Sequence, residues 1–160
     1  MSEPSDTPQN EDALIVGRDS LSERLLISKA RRYASTLEGV DAYQVVLLDD
    51  ETLAWQRLAL ARMRSFEDVG LQARLAHPVA PAALQRAIIA LTGLTEAFSG
   101  WVVYEGVVGV ALQGSDFDLF LQRYLASHSS CDLSLAIESP EAVLCVNDNE
   151  HDVTLHYLRG

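Results

Sequence analysis

Residues 101–112 read WVVYEGVVGVAL, and here the rhythm of the chain changes from helix to strand. Two apolar runs, Trp101–Tyr104 and Val107–Leu112, flank Glu105-Gly106, the pattern of a two-residue β-hairpin. The runs are almost continuously apolar, so both faces of the hairpin are expected to be covered.

Downstream, Ser115 is expected to cap a helix whose core side is Phe117, Phe120, Leu121, Tyr124 and Leu125. Three strands follow. Cys131, Leu133, Leu135 and Ile137 alternate with Asp132, Ser134, Ala136 and Glu138, which predicts one buried face. Ser139-Pro140 and Asn147-Asp148-Asn149 then turn the chain into Ala142–Val146 and Val153–Leu158.

Upstream, Pro81 suits a first helical position. The helix it opens carries Leu84, Ile88, Leu91 and Phe98 and is closed by Gly100, with Gly93 in its middle suggesting close packing. Residues 67–79 read as an irregular connection with one helical turn at Leu71–Ala76. A helix from about Glu51 to Phe66 presents Trp55, Leu58, Ala59 and Phe66 to the core and Arg57 and Arg64 to water. Tyr43–Leu48 is a strand. Before it, Ser20 and Glu23 form a capping box for a helix with Leu21, Leu25, Ala30, Tyr33 and Leu37 on one side, ended by Gly39.

These elements predict an α+β fold: a mainly antiparallel sheet of about five strands over residues 101–158, with helices from the first hundred residues packed on it. The alternative is α/β, if Ala13–Val16 and Tyr43–Leu48 make a parallel βαβ unit within residues 13–48. Residues 1–12 are expected to be a disordered acidic tail, and 13–160 a single domain, as 160 residues suit one core.

Charge is divided unevenly. The chain carries −11. Residues 87–160 hold two bases, Arg123 and Arg159, against ten acids, a net −8. Such a field repels nucleic acid and anionic membranes and attracts basic proteins. No signal peptide or spanning segment is evident, so a cytoplasmic location is expected. Eleven of the twelve bases are Arg, the usage of a GC-rich, bacterial genome.

Four constellations could carry chemistry. Asp49-Asp50-Glu51, at a strand end, could hold Mg²⁺ with Asp19 as third ligand; the competing reading is that Asp49 or Asp50 caps the helix that follows. Asp148, Glu150 and Asp152 suggest a Ca²⁺ loop, but Val153 and Arg159 stand where the turn glycine and bidentate Glu belong. Cys131, Cys145, His151 and His156 match no zinc spacing. His128-Ser129-Ser130 lacks the setting of a nucleophile and reads as a helix end.

The expectation is therefore an acidic protein-binding module without catalysis and without a cofactor, of the immunity-protein, secretion-chaperone, inhibitor or adaptor type. Asp148, Glu150, Asp152, Glu138 and Glu141 would hold a basic protein partner. Dimerisation is possible through the hairpin. The alternative is a small Mg-dependent enzyme or nucleotide binder centred on Asp19, Asp49 and Asp50.

Overall fold

A computed structural model describes residues 6–65 and 67–160, with side chains from residue 21 onward. Four helices and seven strands follow in the order α1 (Asp6–Ser35), β1 (Ala42–Leu47), α2 (Ala54–Arg64), β2 (Leu71–Ala76), α3 (Pro81–Thr92), β3 (Phe98–Tyr104), β4 (Val108–Gly114), α4 (Phe117–Ser127), β5 (Leu133–Glu138), β6 (Glu141–Asp148) and β7 (Asp152–Arg159). The strands form one sheet in the order β1-β4-β3-β5-β6-β7-β2, and every neighbouring pair is antiparallel.

The class is α+β, but the sheet has seven strands, not five. The two additional strands become its edges: β1 joins β4, and β2 joins β7. Leu71–Ala76 is β2, not a helical turn. Its alternation of half-buried and exposed residues is a strand period that the surrounding polar residues mask. The βαβ alternative fails because residues 13–16 lie within α1 and no strand pair is parallel. The helix also runs through Ser20, so Ser20 does not open it. The tail expected at residues 1–12 falls, except for the backbone of residues 6–12, outside the described residues.

Helices lie on both faces of the sheet. On the inner face α1, α3 and α4 close over Val108, Val110 and Leu112 of β4, Leu133, Leu135 and Ile137 of β5, and Leu144 and Val146 of β6. Val108 and Val110 are wholly buried by the chain's own helices. Phe98, Phe117, Phe120 and Tyr124 interlock there, with ring centroids 5.1–6.0 Å apart, a spacing that suits tilted and edge-on aromatic pairs. On α1 Ala30 and Ala34 are buried and Leu26, Ile27 and Tyr33 partly so, with Leu37 buried just past its end; Leu21 and Leu25 are exposed, against expectation.

Helix α3 stops at Thr92, where Gly93 takes the left-handed C-cap conformation (φ 71°) with open space around it. Gly93 thus ends the helix and marks no close packing, and Phe98 belongs to β3. Asp116, not Ser115, caps α4, accepting from the Leu119 N–H at 2.9 Å.

Among the described residues the outer face carries only α2. Gln56, Ala59, Leu60 and Met63 recur at i, i+3, i+4 and i+7, the buried stripe of a helix, and pack on Ala136, Val143 and Cys145 of β5 and β6. This second layer buries Ala136, so β5 is covered on both faces. The hairpin is not: α2 leaves the outer side of β1, β4 and β3 open.

Candidate functional site

Beside α2 the open half-sheet forms a groove of about 560 Å³. Its walls are Ala54, Leu58 and Ala61 of α2 on one side and Val103 and Gly106 of the β3–β4 hairpin on the other. Leu58, expected in the core, is 63% exposed and overhangs this groove. Two side chains hold the walls apart. Arg57 donates from Nη2 to the Gly106 carbonyl (2.7 Å) and from Nη1 to the Asp49 carbonyl (2.8 Å), joining the hairpin tip to the β1–α2 connection. Arg64 donates from Nε to Ser134 Oγ (2.7 Å) and from Nη1 to Asn147 Oδ1 (3.3 Å), fixing the end of α2 to β5 and β6. Arg57 and Arg64, expected to face water, are therefore the groove's braces.

Register places the floor. In antiparallel pairs directly opposed residues share a face, so Gln44, Ala111 and Trp101 form one outer row and Val46, Gly109 and Val103 the next. Gly109 is where side-chain bulk is excluded: a Cβ there would lie 2.7 Å from Leu48 Cδ2 and 2.8 Å from Trp101 Cε3, so the indole rests on bare backbone. A second depression of about 230 Å³, lined by Gln44, Ser99, Ala111, Gln113 and Glu138, continues the floor toward the other end of the strands.

That end is acidic. Asp41 precedes β1, Asp116 follows β4, Glu96 precedes β3, Glu138 ends β5 and Glu141 begins β6. The sheet order brings these termini side by side across five neighbouring strands, a row about 19 Å wide at ~4.8 Å per strand. None of the five takes part in an ion pair among the described residues. Glu138 accepts from Ser99 Oγ (3.4 Å), and Glu141 accepts from Trp55 Nε1 (3.0 Å).

The five acids singled out in the sequence thus do not share one patch. Glu138 and Glu141 lie at this end of the sheet. Asp148, Glu150 and Asp152 lie at the opposite end of β6, about 24 Å away over seven residue steps. There Asp148 faces His77 Nε2 at 3.0 Å, and Asp152 lies 3.7 Å from Arg74 Nη1, so both carboxylates have partners within the chain. Glu150 is almost fully exposed.

Asp49 and Asp50 are placed differently. Asp49 Oδ1 accepts from the Glu51 N–H (3.0 Å), the Thr52 N–H (2.8 Å) and the Thr52 hydroxyl (2.7 Å). The Thr52 hydroxyl bond foremost, with the two N–H groups, holds the carboxyl below its usual range. It caps the turn that feeds α2, while α2's own N-cap is Leu53, in the left-handed region and with no side-chain cap. Asp50 lines the groove mouth. The side chain of Asp19 lies outside the described residues, and no cluster of three His, Cys, Asp or Glu suited to a metal occurs among them.

The cysteines and histidines separate. Cys145 and His156 are cross-strand neighbours, but His156 Nδ1 is bonded to the Val69 carbonyl at 2.8 Å; His151 is exposed at the β6–β7 turn. His128 stands at the C-cap of α4, stacked 3.9 Å from Tyr124, with Nδ1 2.9 Å from that residue's carbonyl. Cys131 lines a pocket of about 200 Å³ with His77, His128 and Asp148, a grouping invisible in the sequence because β6 and the α4–β5 loop meet only in the fold. Its surroundings disfavour the thiolate. Burial, with the neighbouring Asp148 and Asp132 carboxylates, pushes the Cys131 thiol up to about 12, whereas reactive thiols are depressed. Asp148 lies between the thiol and the imidazole. Burial alone would raise its pKa, but the Cys131 N–H and thiol and His77 outweigh this and lower it.

No helix among the described residues is long and apolar enough to cross a membrane. No protein-family model matches the chain, and neither a curated protein nor a solved structure does.

Proposed function

We propose that this chain is a protein-binding module without catalysis that takes a basic protein segment along the outer half-sheet. The observation that carries this reading is the uncovered outer side of β1, β4 and β3, walled by α2 and ending in the row Asp41, Asp116, Glu96, Glu138 and Glu141. Leu58, Val103 and Ala61 offer apolar contact, and the acidic row supplies the attraction and steering that draw in Lys- and Arg-rich chains. The groove's guanidiniums and its one hydroxyl are committed to holding its walls, an arrangement suited to a fixed shape more than to bond making. The roles that fit are those of an immunity protein, secretion chaperone, inhibitor or adaptor.

The test is affinity purification of partners at low and high salt, followed by Glu138→Gln/Glu141→Gln and Leu58→Asp. A stoichiometric basic protein, released by salt and lost with either variant while circular dichroism is unchanged, supports the reading. A partner indifferent to both variants refutes the assigned surface.

A further inference from the structure

The two edges of the sheet differ in a way that points to a second copy of this chain. An open edge invites strand addition, and proteins normally guard it with charge, Pro or a bulge. Edge β2 has two of these guards: a register break between Leu71 and Ala73, and Arg74, which lies near both Asp68 and Asp152. Edge β1, AYQVVL, has none of them. It contains no charged residue, no proline and no bulge, and its register with β4 is unbroken over all six residues. Tyr43 and Leu47 are among the few large apolar residues left exposed, at 44% and 41%.

The backbone of β1 is self-complementary. The Leu48 N–H donates inward to the Val107 carbonyl at 2.9 Å. Hydrogen-bonded and non-bonded pairs alternate along an antiparallel ladder, so the N–H and C=O groups of Tyr43, Val45 and Leu47 are directed away from β4. An antiparallel copy centred on Val45 matches these three residues: Val45 opposes Val45 of the second copy, and Tyr43 opposes Leu47 of the second copy in both directions. Each pair exchanges two N–H···O bonds, and Tyr43, Val45 and Leu47 share the inner face, so Tyr43 packs against Leu47 across the seam.

Side-chain match selects the occupant: a second copy turned about Val45 sets an exposed Tyr43 opposite an exposed Leu47 at both ends of the seam. A chain of net −11 repels its own copies over most of its surface, and both ends of the sheet carry acids. The six residues of β1 carry no charge, so repulsion is confined to the two ends of the seam, where Asp41 stands opposite Asp49 of the second copy, and a twofold contact closes after one partner instead of growing into a filament. We infer that two copies join edge to edge through β1 into a continuous fourteen-stranded antiparallel sheet. The outer faces then merge: one floor runs β3-β4-β1 into β1-β4-β3 of the second copy, walled by α2 from each. The dimer does not depend on the partner-binding reading, although it would double that surface.

The test measures the mass of the full chain by multi-angle light scattering and sedimentation over concentration, with Val45→Pro and Tyr43→Lys/Leu47→Lys. Val45 directs its N–H outward, so proline there blocks the seam and spares the β4 ladder. The wild type is expected as a dimer, with the amides of Tyr43, Val45 and Leu47 gaining hydrogen-exchange protection as concentration rises. Both variants should be folded monomers, the lysine pair serving if proline unfolds the chain. A wild type that stays monomeric up to on the order of 100 μM, a Kd scale too weak for a stable dimer, overturns the inference. So does a dimer that survives Tyr43→Lys/Leu47→Lys, or protection of the three amides that is independent of concentration, which would mean that another segment of the same chain covers the edge. Partner binding measured on the monomeric variant separates this failure from that of the proposed function.

Discussion

Asn147 is the side chain on which the groove wall depends most directly. It sits on β6, 5% exposed, and its amide Nδ2 donates to the Met63 carbonyl at 3.0 Å. Met63 is in the last turn of α2, where carbonyls have no partner within the helix, so Asn147 supplies from the sheet the cap that the helix lacks. Its Oδ1 also accepts from Arg64 Nη1 at 3.3 Å and from the Cys145 thiol at 3.4 Å. Asn147→Ala strands the Met63 carbonyl, which costs about 1–3 kcal/mol for a buried group. The Arg64 side chain is 39% exposed, so its lost contact adds at most ~1 kcal/mol. The expected loss is about 1–4 kcal/mol, out of roughly 5–15 for a domain of this kind. Urea unfolding at unchanged m-value reads it, and hydrogen exchange should show the α2 amides opening before those of β4. Asn147→Asp keeps an acceptor for Arg64 but loses the donor to Met63, so it should not restore stability. A loss under ~0.5 kcal/mol, the range of an ordinary surface change, or α2 exchange equal to wild type, would refute the claim that α2 is held through this residue.

Gly109→Ala places a methyl group against Leu48 and the Trp101 ring; it should cost about 1–3 kcal/mol as overpacking and shift Trp101 fluorescence, and an unchanged spectrum and melt would deny the close approach. Cys131, with a thiol raised to about 12 from 9.0, should react with a maleimide or disulfide reagent at pH 8 roughly 1,000-fold more slowly than a free thiol; Asp148→Asn should accelerate it, and rapid labelling of the native wild type would contradict the geometry. Asp148 has a folded-state pKa below its unfolded value of 3.8, so its contribution is complete above about pH 4 and is lost as pH falls through the folded value. Asp148→Asn should therefore lower stability at pH 7 and flatten the acid limb; parallel pH curves for the two proteins would remove Asp148 as the cause.

The elements legible in the sequence were those whose period was clean. The hairpin strands at 101–112 and the core side of α4 appear where the residues placed them, because burial on the inner face is strong and regular; β5 was expected to have one buried face, but Ala136 on its other side is buried under α2. The hairpin loop is one residue longer than expected, since Tyr104 pairs with Val108. The edges were less legible. β2 reads LQARLA, whose single exposed Arg and two Ala blunt the strand signal, and only pairing with β7 makes it a strand. On α2 both Leu58 and Leu60 are apolar, and the sequence offered Leu58 to the core. The structure buries Leu60 with Gln56, because Ala59 and Met63 lie on that side. The acidic row was illegible for a different reason: Asp41, Glu96, Asp116, Glu138 and Glu141 are spread over a hundred residues, and only the strand order makes them neighbours.

The two ends of β6 show why net charge alone misplaces a binding surface. A run of acids such as Asp148-Asn149-Glu150-His151-Asp152 looks like the strongest point of attraction, but turn acids are also the groups best placed to bond backbone and side chains locally. Asp148 is held by His77 and the Cys131 N–H, and Asp152 by Arg74 and Asn149, so both are engaged locally. Glu138 and Glu141 flank a tight turn with no base paired to them among the described residues, and their charge reaches solvent. Salt therefore distinguishes the two proposed contacts. It should weaken a basic partner held by the acidic row, since screening acts on exposed charges over about 10 Å at 0.1 M. It should strengthen pairing through the uncharged β1 edge, because there screening relieves only the repulsion between two −11 chains. Opposite salt responses of partner binding and self-association, measured on one preparation, are what this division of the surface requires.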